Sequence, residues 1–110
     1  MISKTKVKLK DTSKLCELID FYMHSDAFKK LSGAAQIDYE SCLFIVRDAL
    51  GHVKLTNITG TLAQDAYNIW LSRGIYRANK IASVLSIVLN KGIKMDLKIV
   101  NPMPFIDRVP

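Results

Sequence analysis

The chain has 110 residues, 49% of them hydrophobic, with a formal charge of +6 from 16 basic and 10 acidic side chains. That length suits one domain and buries roughly two-thirds of its unfolded surface, so a core forms without disulfide or metal staples. The composition excludes a disordered chain, no apolar run approaches the ~20 residues a bilayer span requires, and the positive surplus favours a polyanionic partner, nucleic acid first and anionic membrane second. A soluble domain that is merely basic is the alternative.

The first ten residues carry four lysines alternating with apolar residues, without the hydrophobic segment of a signal peptide. Residues 1–12 are expected to form a flexible basic arm. A first helix is expected after Asp11 or Thr12, both good N-caps, with Leu15, Leu18, Ile19 and Tyr22 recurring at helical spacing. A short helical turn is expected around Asp26–Leu31, punctuated by Ser32 and Gly33. A second long helix runs roughly from Ala34 to Leu50, its stripe made by Tyr39, Cys42, Leu43, Val46, Ala49 and Leu50. Gly51 stops it as a C′ glycine.

The stretch HVKLTNITG reads as a loop anchored by Leu55 and Ile58. Thr61 and Gln64 have capping-box spacing at the start of a third long helix. Its stripe is Ala63, Ala66, Tyr67 and Trp70, and Gly74 ends it. The fourth long helix, roughly Tyr76 to Met95, has the most regular stripe: Ala78, Ile81, Ala82, Leu85, Val88 and Leu89. No convincing strand or repeat is present. The fold class is all-α, a small bundle of four main helices plus a short helical turn over residues 13–100. The last nine residues contain three prolines and read as an extended connector, since proline fixes its own φ and keeps the preceding residue out of the helical region.

Catalytic patterns are missing. His24 and His52 lie at no metal-ligand spacing and read as surface histidines. The five glycines are scattered one per connection and build no phosphate loop. Asp38 and Glu40, two apart on a helix, point to different faces and cannot work as an acid–base pair. Tyr22, Tyr39 and Tyr67 read as core. Cys16 and Cys42 read as free, buried thiols in a reducing compartment, with a disulfide between them as the alternative. Neither cofactor nor metal is expected.

The informative charges flank helix starts. Lys29 and Lys30 precede Ser32 and the second long helix; Arg73, Arg77 and Lys80, with Tyr76, bracket the turn into the fourth. Helix N-termini present unbonded N–H groups and the positive dipole end, which suits phosphate. A solvated polar face is the competing explanation for both clusters.

Several short motifs carry a resemblance. Leu31-Ser32 and Tyr39, then Leu55, Ile58 and Thr59, then Ala78-Asn79, and finally Asn101-Pro102 follow the order and spacing of the core-binding domain of the tyrosine recombinases, the phage-integrase family. The resemblance covers the chain from about Ser13 onward. It implies a SAM-like helical DNA-binding domain ahead of a catalytic domain that this chain lacks, with residues 101–110 as the start of the interdomain linker. It further implies a clamp on double-stranded DNA at a recombination site, backbone contacts dominating, and contact with other recombinase protomers in the full-length protein. Strand cleavage through a phosphotyrosine would belong to the intact protein. The chain alone is expected to be a catalytically silent monomer, in the cytoplasm of a bacterial or phage-infected cell. Two departures stand out: Ala35 replaces a frequent threonine, removing a phosphate-bonding hydroxyl, and Gly92 replaces a frequent alanine, at about 1 kcal/mol of helix propensity.

Basic clusters, helix starts and resemblance together place the expected DNA surface on Lys29, Lys30, Ser32 and Gln36 at the second long helix, and on Arg73, Tyr76, Arg77, Asn79 and Lys80 at the fourth. The rival function is a small helical protein–protein interaction or phage regulatory module. A helix-turn-helix repressor fits poorly, because the gap from Leu50 to Thr61 is too long for that turn.

Overall fold

Each apolar stripe becomes one helix, and the stripes face one another. The computed structural model describes residues 8–110. It contains α1 (Leu15–Met23), α2 (Asp26–Lys29), α3 (Gly33–Leu50), α4 (Gly60–Trp70) and α5 (Ile75–Lys94). Short 3-10 turns lie at Leu55–Asn57, Leu71–Arg73 and Met103–Phe105. Among the described residues there is no strand, only an isolated bridge between Lys14 and Lys54. The protein is a small all-α bundle. No helix among the described residues is long and apolar enough to cross a membrane. The lysines of residues 1–7 lie outside the described residues.

Helix α5 is the hub: it packs against α1, α3, α4 and the two later 3-10 turns. Its stripe from Ala78 to Leu89 is buried, as are Val84 and Gly92. Leu15, Leu18, Ile19 and Tyr22 of α1, Leu43 and Val46 of α3, and Tyr67 and Trp70 of α4 complete one core. Leu55 and Ile58 anchor the α3–α4 loop in it, both buried.

Helix ends depart from the sequence expectation in three places. α1 starts at Leu15 behind Lys14, whose N–H donates to Glu17 Oε1 at 2.8 Å, so neither Asp11 nor Thr12 caps it. Asp11 instead accepts the Lys98 N–H at 2.7 Å, tying the chain before α1 to the chain after α5. Thr59, not Thr61, caps α4 by accepting from Leu62 N–H, and Gln64 bonds elsewhere. Gly51 closes α3 with an ordinary right-handed φ of −58° rather than as a left-handed C′ glycine. At the end of α5 the left-handed position is filled by Asp96, φ 69°, and Leu97 N–H closes back on Gly92 C=O at 3.1 Å. Such a 6→1 bond terminates the helix and usually takes glycine; a short polar side chain tolerates it.

Two further expectations are corrected. Cys42 is buried, but Cys16 is only half-buried, because it sits one position, about 100° around the helix, from the buried Leu15. Tyr39 is half-buried, with the Lys80 ammonium 5.3 Å above its ring. Both cysteines are free thiols. The C-terminal segment is not a free connector: Pro102 and Met103 are buried, and the residues after them bond to α4 and α5.

Gly92 earns its place through space. A Cβ there would lie 3.0 Å from Ile99 Cδ1 and 3.1 Å from Leu18 Cδ2. Leu18 is itself fully buried, so admitting a methyl requires it and Ile99 to give by a few tenths of an ångström within a packed core.

Three outcomes follow. Gly92→Ala forfeits its propensity gain of about 1 kcal/mol to overpacking of about 1–3 kcal/mol; thermal denaturation should show no rise in Tm. Trp70, 2% exposed, should lose about 3–5 kcal/mol on truncation to alanine, measured by chemical denaturation. A thiol reagent should label native Cys16 well before Cys42, whose thiol pKa burial also pushes up; equal rates would contradict the packing of α1 and α3.

Candidate nucleic-acid interface

The corner between α2 and α3 is closed by two of the predicted contact residues. Ser32 is the N-cap of α3, its hydroxyl accepting the Ala35 N–H at 3.1 Å. Gln36 folds its amide back to donate to Lys29 C=O at 3.2 Å and Leu31 C=O at 2.9 Å. Both side chains are therefore engaged in shaping the corner. Lys29 and Lys30 stay exposed on its outside and enter no ion pair among the described residues.

The turn into α5 is built on Gly74, at φ 104° and ψ 150°, which a side chain rarely adopts. Among the described residues no side chain caps this helix start. Arg73 is exposed beside it, and Tyr76 is 79% exposed.

Arg77 and Lys80, one turn apart on α5, both reach the same residue of α3. Arg77 Nη1 donates to Asp38 Oδ1 at 3.0 Å, and its Nη2 donates to Ser41 Oγ at 2.6 Å. Lys80 Nζ lies 3.4 Å from Asp38 Oδ2. The Arg77 hydrogen bond holds the Asp38 carboxyl below the usual carboxylate range; partial burial opposes this, and Lys80 adds to it. Two cations share one carboxylate, so the cluster keeps one unit of positive charge.

Asn79 belongs to a different surface. Its Oδ1 accepts from Tyr67 OH at 2.7 Å, and its Nδ2 donates to Val109 C=O at 3.0 Å. Residues two apart on a helix point about 200° apart, so Asn79 faces α4 and the C-terminal segment while Arg77 faces α3. The structure thus gathers Arg77 and Lys80, leaves Lys29, Lys30, Arg73 and Tyr76 outward, and removes Asn79 from the expected surface. Asp38, Ser41 and Tyr39 are the partners that sequence reasoning missed. A counter-ion supplied across 39 positions of sequence (Arg77 to Asp38) leaves no local spacing signal.

Among the described residues no group of histidine, cysteine, aspartate and glutamate side chains is placed to hold a metal ion. His24 and His52 are exposed. No protein-family model, curated protein or solved structure matches this chain.

The Asp38 cluster sets a pH dependence. A carboxyl whose folded pKa is depressed adds stability above its unfolded pKa and loses it as pH falls through the folded value. Thermal melts of parent and Asp38→Asn should therefore differ at neutral pH and converge below the ordinary carboxylate range. A difference that persists unchanged in acid would show that the carboxylate charge is not what the cluster uses.

Proposed function

We propose that this chain is a double-stranded-DNA-binding module, gripping the phosphate backbone through the start of α5 and the outer side of the α2–α3 corner. The observation that carries this reading is the start of α5: an uncapped helix N-terminus flanked by exposed Arg73 and Tyr76, with Arg77 and Lys80 one turn further sharing a single carboxylate. Unbonded N–H groups, the positive end of the helix dipole and surplus cations all favour an anion at that place. Lys29 and Lys30 extend the positive surface, and the whole-chain charge of +6 supports steering toward a polyanion.

The biological setting that fits best is the DNA-binding domain of a site-specific tyrosine recombinase. Its supports are the motif order from Leu31-Ser32 to Asn101-Pro102 and the helical bundle. In that setting the chain binds and positions DNA; strand exchange belongs to a separate catalytic domain and to other protomers of the assembly.

A second reading, a protein–protein interaction module, draws on one observation. Ile37 and Phe44 are 70% and 73% exposed and stand seven residues apart, hence on one face of α3. Large apolar side chains aligned on an outer face are a common mark of protein docking.

Fluorescence-anisotropy titration with a labelled duplex, at several salt concentrations, separates the two. The parent should bind weakly and lose affinity with salt along a log–log slope of only a few, since one module neutralises few phosphates. Replacing Arg77 and Lys80 together by alanine should weaken binding and flatten the log–log salt slope by up to about two contacts. Asp38→Asn should do the opposite, releasing both cations and tightening binding. If folded variants leave affinity and slope unchanged, this face is not the DNA face. If the parent binds no duplex even at low salt, the interaction-module reading replaces the DNA reading.

A further inference from the structure

The C-terminal segment is held by its main chain. Gln64 of α4 reads Asp107 at both backbone groups: Asp107 N–H donates to Gln64 Oε1 at 2.6 Å, and Gln64 Nε2 donates to Asp107 C=O at 3.1 Å. Two residues on, Val109 is read the same way by a pair of side chains. Its N–H donates to Tyr67 OH at 2.9 Å, and its C=O accepts from Asn79 Nδ2 at 3.0 Å. Tyr67 OH in turn donates to Asn79 Oδ1, which locks the two readers together.

The spacing is that of a β-ladder. An extended chain turns alternate residues the same way, and a neighbouring strand bonds both backbone groups of every second one. Here side-chain amides and a phenol stand in for that strand. The Asp107 side chain takes no part in these contacts; among the described residues the segment's one side-chain hydrogen bond is Arg108 Nη1 to Ser83 Oγ at 3.2 Å, and Ile106 packs half-buried against the core. The segment also has a built-in anchor. Asn101 bonds Ser86 and Asn90 at 2.9 and 3.0 Å, Met103 is fully buried, and then Phe105 stands 85% exposed before the held residues begin.

We infer that α4 and α5 carry a receptor for extended polypeptide main chain, that residues 106–109 fill it as a strap, and that it takes an extended peptide in trans when the strap is out. Gln64, Tyr67 and Asn79 are its recognition residues. The ligand class is an extended peptide able to offer N–H and C=O at two positions two apart, with little dependence on the side chains at those two positions and an apolar residue just ahead of the first, where Ile106 packs. This inference does not rest on the DNA reading.

The test uses the full-length chain carrying Asp107→Pro and Val109→Pro, which removes both donated N–H groups. Ile106, at φ −78° and ψ 158°, already has the backbone a residue before proline prefers. The probe is an acetylated hexapeptide with the sequence of Phe105–Pro110, followed through the NMR signals of the Gln64 and Asn79 side-chain amides. The peptide should shift both signals. Alanine at its Asp and Val positions should change affinity by less than about threefold, and N-methylation of those two nitrogens should abolish binding. The parent should respond at least about tenfold more weakly, because a tethered strap competes at millimolar effective concentration. A folded double-proline chain whose signals the peptide does not move, or an N-methylated peptide that binds equally well, overturns the inference. Should the double variant fail to fold, amide hydrogen exchange on the parent decides: Asp107 and Val109 protected, Arg108 exchanging, and Gln64→Ala releasing Asp107. Arg108 as protected as its neighbours would overturn it.

Discussion

Helix α5 must satisfy several neighbours at once: α1, α3, α4 and the returning C-terminal segment all pack on it. Burial on that scale leaves its polar side chains few places to go, and each therefore acquires a defined task. On the α3 side Arg77 and Lys80 meet Asp38. On the opposite side Asn79, Ser83, Ser86 and Asn90 recur every three to four residues and receive the C-terminal segment. The apolar stripe between them faces the core. Gly92 serves the same constraint, since a Cβ there would press on Leu97, Ile99 and Leu18, where residues 97–99 and α1 close over the end of the helix.

The Asp38 cluster gives the basic surface its character. Its ion pairs are partly open to solvent, Asp38 being 40% exposed, and such pairs add little to stability. Their larger effect is on what else the cations can bind. In the proposed DNA-binding role, a phosphate approaching Arg77 would compete with a carboxylate already in place, so binding would be an exchange of one anion for another. The guanidinium is also held by Ser41, which preorganises it and reduces the entropy lost on contact. The same partners thus weaken the raw attraction and sharpen its position.

Much of the architecture was legible in the sequence because it is written in apolar periodicity. Leu15, Leu18, Ile19 and Tyr22, and Ala78 through Leu89, state both the helices and their buried faces. Helix boundaries were less legible, for a physical reason: caps are chosen by tertiary context. Thr61 has the right residue type and spacing for a cap, but Thr59 takes the role because buried Ile58 fixes where the loop ends. Asp96 occupies a left-handed position for which glycine is the usual signal. The candidate site was half legible. Basic residues near helix starts can be read off directly; Asp38 as their counter-ion, and Asn79 as a partner of Val109, depend on contacts 30 to 39 residues apart. Proline content also misled: the segment after Asn101 lacks helical structure beyond one turn, yet it is held fast, since main-chain recognition by side chains needs extended backbone and leaves no pattern of its own.

The two helix starts that looked equivalent in sequence are made unequal by their caps. At α3 the Ser32 hydroxyl already accepts one of the first-turn N–H groups, and Gln36 is committed to the preceding carbonyls. That start is self-satisfied, and its contribution to an anion is left to the exposed ammonium groups of Lys29 and Lys30, long side chains that must be ordered on contact. At α5 the residue in the capping position is Gly74, at φ 104°, which has no side chain to offer, and among the described residues no side chain caps the first turn. In the proposed role, an oxyanion there would meet backbone donors already fixed in place, at no cost in side-chain entropy. In the proposed DNA-binding role, α5 would be the stronger seat for a phosphate, and the α2–α3 corner would act through charge alone. The difference rests on one residue at each start, serine in the first and glycine in the second.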